Sequence, residues 1–438
     1  MKVGPAFLQT LASQVVQSVA SIATGILIAR GLGPAGQGSY ALCVAAVGLL
    51  STVVGVGQFE GHILTSAGRR SLGRVLLIRS LVQGLLAAVV LLVLQSWWRR
   101  GLPVGEADST ALLLTAVLLC EVLALLFRGI NLGQHHVTAY NVSTLVQRII
   151  YLVGVVAFGV MRDVRLETVL IAWFGAVALA VAMTGVWIWR RPGSTVVSWG
   201  AVRKGWCPSL VRGMRALATI GATLLLLRTD IYMLGPMLGA DAVGQVSVAS
   251  AFGEYLWYVP SILGSVLFAS VAANRGPDTV AKICRASRAT AALLAPIVLT
   301  LAVAGRAMVA AVYGTAYTQA GTVFVILLPG MFAICLHLVI DSYFAGSGYP
   351  PISYLATGGA LLLKVTLNLA LVPNAGVAGA AVATSIVYVA LLTAKVVAFS
   401  RETGTPFGRL FRPRLSDVTD NLLAARSWLR GGVHSVTG

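Results

Sequence analysis

A small set of ionisable side chains lies inside runs of apolar residues, and chemistry in this chain has to come from them. They are Arg79, Glu121, Arg128, Arg148, Arg228, Asp230, Glu254, His337, Asp341 and Lys364. A charged group in an apolar environment is costly, so each must face a cavity or a partner. Spacing sorts them. Glu121 and Arg128 are seven apart and fall on one helical stripe. His337 and Asp341 are four apart, as are Lys364 and Asn368, so each pair shares a face. Arg228 and Asp230 are two apart and point in different directions. Arg79, Arg128 and Arg148 lie near the ends of their apolar runs, where static pairing or snorkelling to headgroups explains them. With Arg30 added, the set leans positive. Guanidinium groups grip phosphate oxygens in a bidentate way, so a cavity lined by Arg30, Arg228 and Lys364 suits a phosphate-bearing substrate. Asp230, Glu254, Asp341 and Asn368 are the expected polar partners or carriers of a coupling ion. Tyr255, Trp257 and Tyr258 offer rings for stacking on sugars or, equally, for packing.

The rest of the chain says what positions these groups. Of 438 residues, 58% are hydrophobic and 11% are charged. A soluble domain carries about a quarter charged residues, so this is an integral membrane protein. The net charge of +18 fits basic loops against anionic headgroups better than nucleic acid. Cys43, Cys120, Cys207, Cys284 and Cys335 are scattered without a Cys-x-x-Cys, and His135 and His136 are adjacent and splayed. No metal, cofactor or disulfide framework is expected. Walker A, Gly-x-Ser-x-Gly and His-Glu-x-x-His patterns are missing, which argues against an enzyme.

About twelve segments are long and apolar enough to span a bilayer. They run over 7–29, 38–58, 75–96, 110–130, 142–161, 168–189, 213–234, 243–268, 287–304, 322–344, 352–372 and 377–398. The first is too long for a signal-peptide core and is read as a retained span. Pro260, Pro296 and Pro329 fall inside spans and are candidate kinks. An even number of spans in each half makes the halves parallel repeats, related by an axis along the membrane normal.

Basic residues favour one side of this topology. Lys2, Arg69, Arg70, Arg74, Arg190, Arg191, Arg203, Lys204, Arg212, Arg275, Lys282, Arg285 and the tail arginines outweigh the opposite set, Arg30, Arg99, Arg100, Arg162, Arg165 and Arg306. The excess predicts cytoplasmic N- and C-termini in an inner or plasma membrane. The expected organisation is a six-helix bundle over 1–195, a second over 196–398, and a basic tail over 399–438.

One stretch is written twice. Leu32-Gly33-Pro34-Ala35-Gly36-Gln37-Gly38-Ser39-Tyr40-Ala41 and Leu238-Gly239-Ala240-Asp241-Ala242-Val243-Gly244-Gln245-Val246-Ser247 each join two apolar runs, 206 to 208 residues apart. Internal repetition of this kind supports two similar halves.

These residues also carry a resemblance. Ala29-Arg30-Gly31-Leu32-Gly33-Pro34 through Tyr40 resembles the first outer loop of the polysaccharide and oligosaccharide flippase family. That family belongs to the superfamily of multidrug, oligosaccharidyl-lipid and polysaccharide exporters. Arg128-Gly129 through Gly133-Gln134 to Tyr140-Asn141 resembles its fourth-to-fifth helix connection. Asp230 with Leu238-Gly239, Leu328-Pro329, Gly346-Ser347-Gly348-Tyr349-Pro350, Asn368, Val372-Pro373 and Gly376-Val377-Ala378-Gly379 resemble its later helices. The resemblance covers nearly the whole chain. It implies two six-helix bundles around a central cavity, alternating access, and a polyprenyl-pyrophosphate-linked oligosaccharide as cargo. By position, Arg30 corresponds to a basic residue facing the cavity, and Asp230 and Asn368 match family positions. Peptidoglycan-precursor flippases usually have fourteen spans, so twelve points to an exopolysaccharide, capsule or O-antigen unit. The expected partners are the lipid-linked oligosaccharide, membrane lipids and a glycan polymerase complex, with no nucleic acid. Two rivals stand beside this reading: an ion-coupled multidrug efflux transporter, and a non-transport subunit of a glycan assembly complex.

Overall fold

The computed structural model describes residues 5–55, 58–59, 62–63, 72–93, 108–191, 206–274, 276–348 and 350–411. Several residues behind the orientation argument lie outside them: Lys2, Arg69, Arg70, Arg99, Arg100, Arg203, Lys204, Arg275 and the tail beyond 411.

The described residues are helical throughout. The α-helices are α1 (Pro5–Val54), α2 (Gly73–Val93), α3 (Asp108–Gly133), α4 (Val137–Val160), α5 (Leu166–Trp189), α6 (Trp206–Glu254), α7 (Tyr258–Ala273), α8 (Pro277–Tyr313), α9 (Thr318–Gly346), α10 (Pro351–Thr403) and α11 (Gly408–Phe411). Seven helices among the described residues are long and apolar enough to cross a membrane. Their exposed positions are apolar too, as at Leu112, Val153, Val160, Val303 and Leu362. A helix that is apolar both inside and outside belongs in lipid.

A helix of about 50 residues would be roughly 75 Å long, against about 30 Å of hydrocarbon. The three longest helices are accordingly two helices each, joined at one glycine: Gly33 in α1, Gly239 in α6 and Gly376 in α10. Their φ values of 69°, 85° and 56° lie where a Cβ is strongly disfavoured. Pro34 follows Gly33 and opens the next helical stretch, where its missing N–H costs nothing.

The expected kinks come out differently from one another. Pro296 and Pro329 lie within continuous helices. Near Pro260 the break comes first, as a 3₁₀ turn over Tyr255–Trp257. Proline removes the N–H that would have served the carbonyl four residues back. That carbonyl, Leu256 O, accepts from Cys335 Sγ at 3.5 Å instead.

By packing, the chain divides into two compact units. The first comprises Met1–Ser247 with Val312–Ala316, and the second Val248–Ala311 with Tyr317–Gly438. In the first, α1, α2, α3, α4 and α5 enclose a core that includes Ile28, Leu76, Leu118, Phe127 and Val177. In the second, α9 packs on α7 and α10 around Val271, Tyr343, Phe344 and Phe399. The start of the tail belongs to that core. Leu410 is fully buried, and Arg288 donates to Arg409 O at 2.6 Å.

The repeated stretches meet inside the first unit. A methyl group on Gly38 would stand 1.7 Å from Ala240 O, and one on Gly244 would stand 1.9 Å from Pro34 O. The contact is reciprocal, and the two left-handed glycines, Gly33 and Gly239, obey the same register. The repeat offset is therefore 206, the difference between 33 and 239 and between 38 and 244. Gln37 Nε2 donates to Ser247 Oγ at 3.4 Å, and Tyr232 donates its hydroxyl to Ala45 O at 2.7 Å. Arg30 Nε reaches Val312 O at 2.7 Å and Gln245 Nε2 reaches Ala316 O at 2.9 Å. These bonds tie segment 312–316 to the first unit.

Candidate substrate site

The most developed polar cluster in the first unit is built on Glu121, midway along α3. Its Oε1 accepts from Gln147 Nε2 of α4 and from Trp173 Nε1 of α5, both at 2.8 Å. Arg128, two turns on from Glu121, does not pair with it directly among the described residues. Its guanidinium donates to Gln147 Oε1. The Gln147 amide thus stands between cation and carboxylate, with its oxygen towards Arg128 and its N–H towards Glu121. Gln147 is buried and Trp173 nearly so. A buried amide with both ends engaged is fixed in orientation.

Aromatic groups complete the cluster. Tyr151 donates to Tyr40 Oη at 2.9 Å. Both rings lie 6.3 Å from that of Trp173, with Tyr40 edge-on at 65°. Arg148 is exposed on α4, and its charge acts on Tyr40, Tyr151 and Arg128. The sequence alone placed Arg148 near the end of a span. The structure starts α4 at Val137, which puts Arg148 at its middle. An exposed guanidinium at that depth would pay a heavy cost facing hydrocarbon. Together the cluster offers two guanidiniums suited to phosphate oxygens and one carboxylate held by neutral donors.

Spacing put Glu121 and Arg128 on one stripe, but the sequence reading explained Arg128 by static pairing or snorkelling and placed neither among the expected site residues. Gln147, Tyr40, Tyr151 and Trp173 escaped the sequence reading because they carry no charge. The signal available was Gln147 and Tyr151, four apart on α4.

The other first-unit candidates stand elsewhere. Arg30 is exposed and held by Val312 O. Asp230 is buried and Arg228 half-buried, as two residues apart on a helix require.

In the second unit, Asp341 Oδ1 pairs with Lys395 Nζ at 2.6 Å. The Lys395 side chain is 1% exposed and that of Asp341 32%. The ammonium also lies 4.7 Å from the centre of the Phe344 ring. His337 shares the face of Asp341, as its spacing requires, and is buried. Lys364 and Asn368 are fully buried one turn apart, with Lys364 Nζ 5.5 Å from the Tyr388 ring centre. Glu254 is half-buried at the end of α6, beside the 3₁₀ turn. Tyr255 and Tyr258 stack on each other at 6.4 Å and 12°.

Two groups outside the spans hold the C-terminal end of α3. His62 Nδ1 lies 3.3 Å from Leu126 O. Burial, aided by the Arg79 charge, lowers its pKa to about 4. Arg191 donates to Gln134 Oε1 at 2.7 Å and to Asn131 Oδ1. Its burial lowers its pKa to about 10.

No family model and no curated protein matches this chain. Solved structures do, at low identity. A lipid II flippase, MurJ, in an inward closed conformation superposes with a TM-score of 0.73 at 12% identity, over 92% of this chain and 89% of its own. An inward-facing multidrug resistance MATE family transporter of the MOP superfamily gives 0.66 at 14% identity, over 89% and 94%. A MOP superfamily transporter from Pyrococcus furiosus gives 0.63 at 16% identity, over 91% and 94%. One is a flippase and two are transporters. The chain has the all-helical membrane fold of MOP superfamily transporters.

Proposed function

We propose that the chain is a flippase that moves a polyprenyl-pyrophosphate-linked oligosaccharide from the cytoplasmic to the outer leaflet by alternating access. The observation that carries this reading is the pair Arg128 and Arg148, set beside Gln147 on an apolar bundle. A pyrophosphate arriving there competes with Gln147 Oε1 for Arg128. The reading further assigns Arg30 and Arg228 of the first unit and Lys364 of the second as basic residues for the substrate, with Asp230, Glu254, Asp341 and Asn368 as polar partners. Twelve spans form two parallel six-helix repeats, 1–195 and 196–398, with a basic cytoplasmic tail over 399–438. The 206-residue offset between left-handed glycines supports that division. So does the length of α1, α6 and α10, each of which is two helices. The packing units cut the chain later, at Ser247, because the glycine crossing ties the start of the second repeat to the first.

A second reading, efflux of organic cations, draws on Glu121 among Trp173, Tyr40 and Tyr151. Rings and a carboxylate attract cations, but Arg128 and Arg148 outnumber the single acid and repel them.

Binding to the purified protein separates the two. Polyprenyl pyrophosphate should bind, and Arg128→Ala or Arg148→Ala should weaken it about 10- to 100-fold, the value of a charge-assisted hydrogen bond. Tighter binding of a cationic dye than of the pyrophosphate lipid, lost in Glu121→Gln, would favour efflux.

A further inference from the structure

Away from the polar cluster, a groove of about 460 Å³ runs along one side of the first unit. Its walls are Leu81 of α2 and Val181 and Trp189 of α5; its floor is Phe127 of α3, and Arg190 closes one end. Gly185 keeps the floor open, since a methyl group there would lie 3.3 Å from the Phe127 ring. The volume falls within the ordinary range of ligand sites, about 300–1,000 Å³.

The two ends differ in chemistry. Towards Val181 the lining is wholly apolar. At the other end, Arg74 donates from Nε to Trp189 O at 2.8 Å, and its guanidinium lies 5.5 Å from the Trp189 ring centre. Arg190 is exposed beside them. Among the described residues, none that is acidic lines the groove. Trp189 ends its helix half-exposed, where indole rings settle at the headgroup level of a bilayer.

The geometry points to a binding site for an anionic glycerophospholipid, with one acyl chain in the groove and its phosphate between Arg74 and Arg190. Charge complementarity selects an anionic headgroup over a zwitterionic one, because two guanidiniums stand at that end with no acid among the described residues of the lining. Length selects a leaflet lipid over a long polyprenyl carrier. From Trp189 back to Val181 is eight residues, about 12 Å along the helix, most of the ~15 Å depth of one leaflet. The occupant is a resident lipid on the bundle's flank, distinct from the transported cargo.

Native mass spectrometry of the full-length protein in detergent, with phosphatidylglycerol or phosphatidylethanolamine added, tests this. Phosphatidylglycerol should be retained preferentially. Arg74→Gln and Arg190→Gln should each reduce that retention about fivefold, the worth of one basic residue at a membrane surface. Ala182→Trp, at an exposed position on the groove, should abolish it without disturbing the core. Equal retention of both lipids by the unmodified protein would overturn the proposal. So would unchanged retention in Ala182→Trp, or displacement of phosphatidylglycerol by an equal concentration of polyprenyl phosphate.

Discussion

Gly38 and Gly244 are related by a reciprocal close approach, each pressing its Cα face against a carbonyl of the other's strand of the repeat. A methyl group would stand 1.7 Å from Ala240 O at the first and 1.9 Å from Pro34 O at the second. Carbonyls of helix backbones cannot retreat without moving the helices. Gly38→Ala and Gly244→Ala should therefore each destabilise the protein by about 1–3 kcal/mol or more, as overpacking does. Gly48→Ala is the control. Nothing lies within 4 Å of the added group there, so it should be neutral or stabilising by about 0.5–1 kcal/mol. Thermal unfolding of the three purified variants reads the difference.

Gln147 should be worth more than a neutral amide on a surface. Gln147→Leu keeps the approximate shape but leaves Glu121 short of one donor and Arg128 short of its acceptor. Each stranded buried group costs about 1–3 kcal/mol. Gln147→Leu combined with Glu121→Gln should recover part of the loss. Melting temperatures of the single and double variants check the coupling.

The Asp341–Lys395 pair should respond asymmetrically. Asp341→Ala leaves an ammonium that is 1% exposed, beside the Phe344 ring and with its carboxylate partner gone. Stranding a buried charge costs about 3–5 kcal/mol. Lys395→Met leaves a carboxylate that is 32% exposed and rehydrates, so it should cost clearly less. Equal losses would mean that the pair is solvated on both sides.

His62 should impose an acid limit on stability. Its pKa is lowered from 6.5 to about 4 by burial. Between those values the unfolded chain binds the proton and the folded chain does not. The stabilisation is present above pH 6.5 and is lost as the pH falls towards 4, by on the order of 3 kcal/mol. His62→Gln should flatten the dependence of unfolding on pH across that window.

Much of the frame was legible in the residues. Glu121 with Arg128, His337 with Asp341, and Lys364 with Asn368 share faces because helical spacing leaves no alternative. The paired Leu-Gly stretches were visible as a repeated motif, and both carry a left-handed glycine, Gly33 and Gly239. Lys395 was not legible, because the last apolar run stops near it. The helix continues to Thr403, which places Lys395 two turns inside. Arg148 was misplaced for the same reason, since hydropathy marks the lipid-facing stretch and not where a helix begins. Gln147, Tyr40, Tyr151 and Trp173 form their network through tertiary packing of four helices, and no local pattern encodes that.

The most direct test is mass spectrometry of polyprenyl-linked sugars in cells that lack this protein, beside cells that carry Arg128→Ala with Arg148→Ala. A lipid-linked oligosaccharide that accumulates in both, while the variant is made at normal levels, is the predicted result and names the cargo. No accumulation in either, together with increased sensitivity to cationic drugs, would contradict the flippase account.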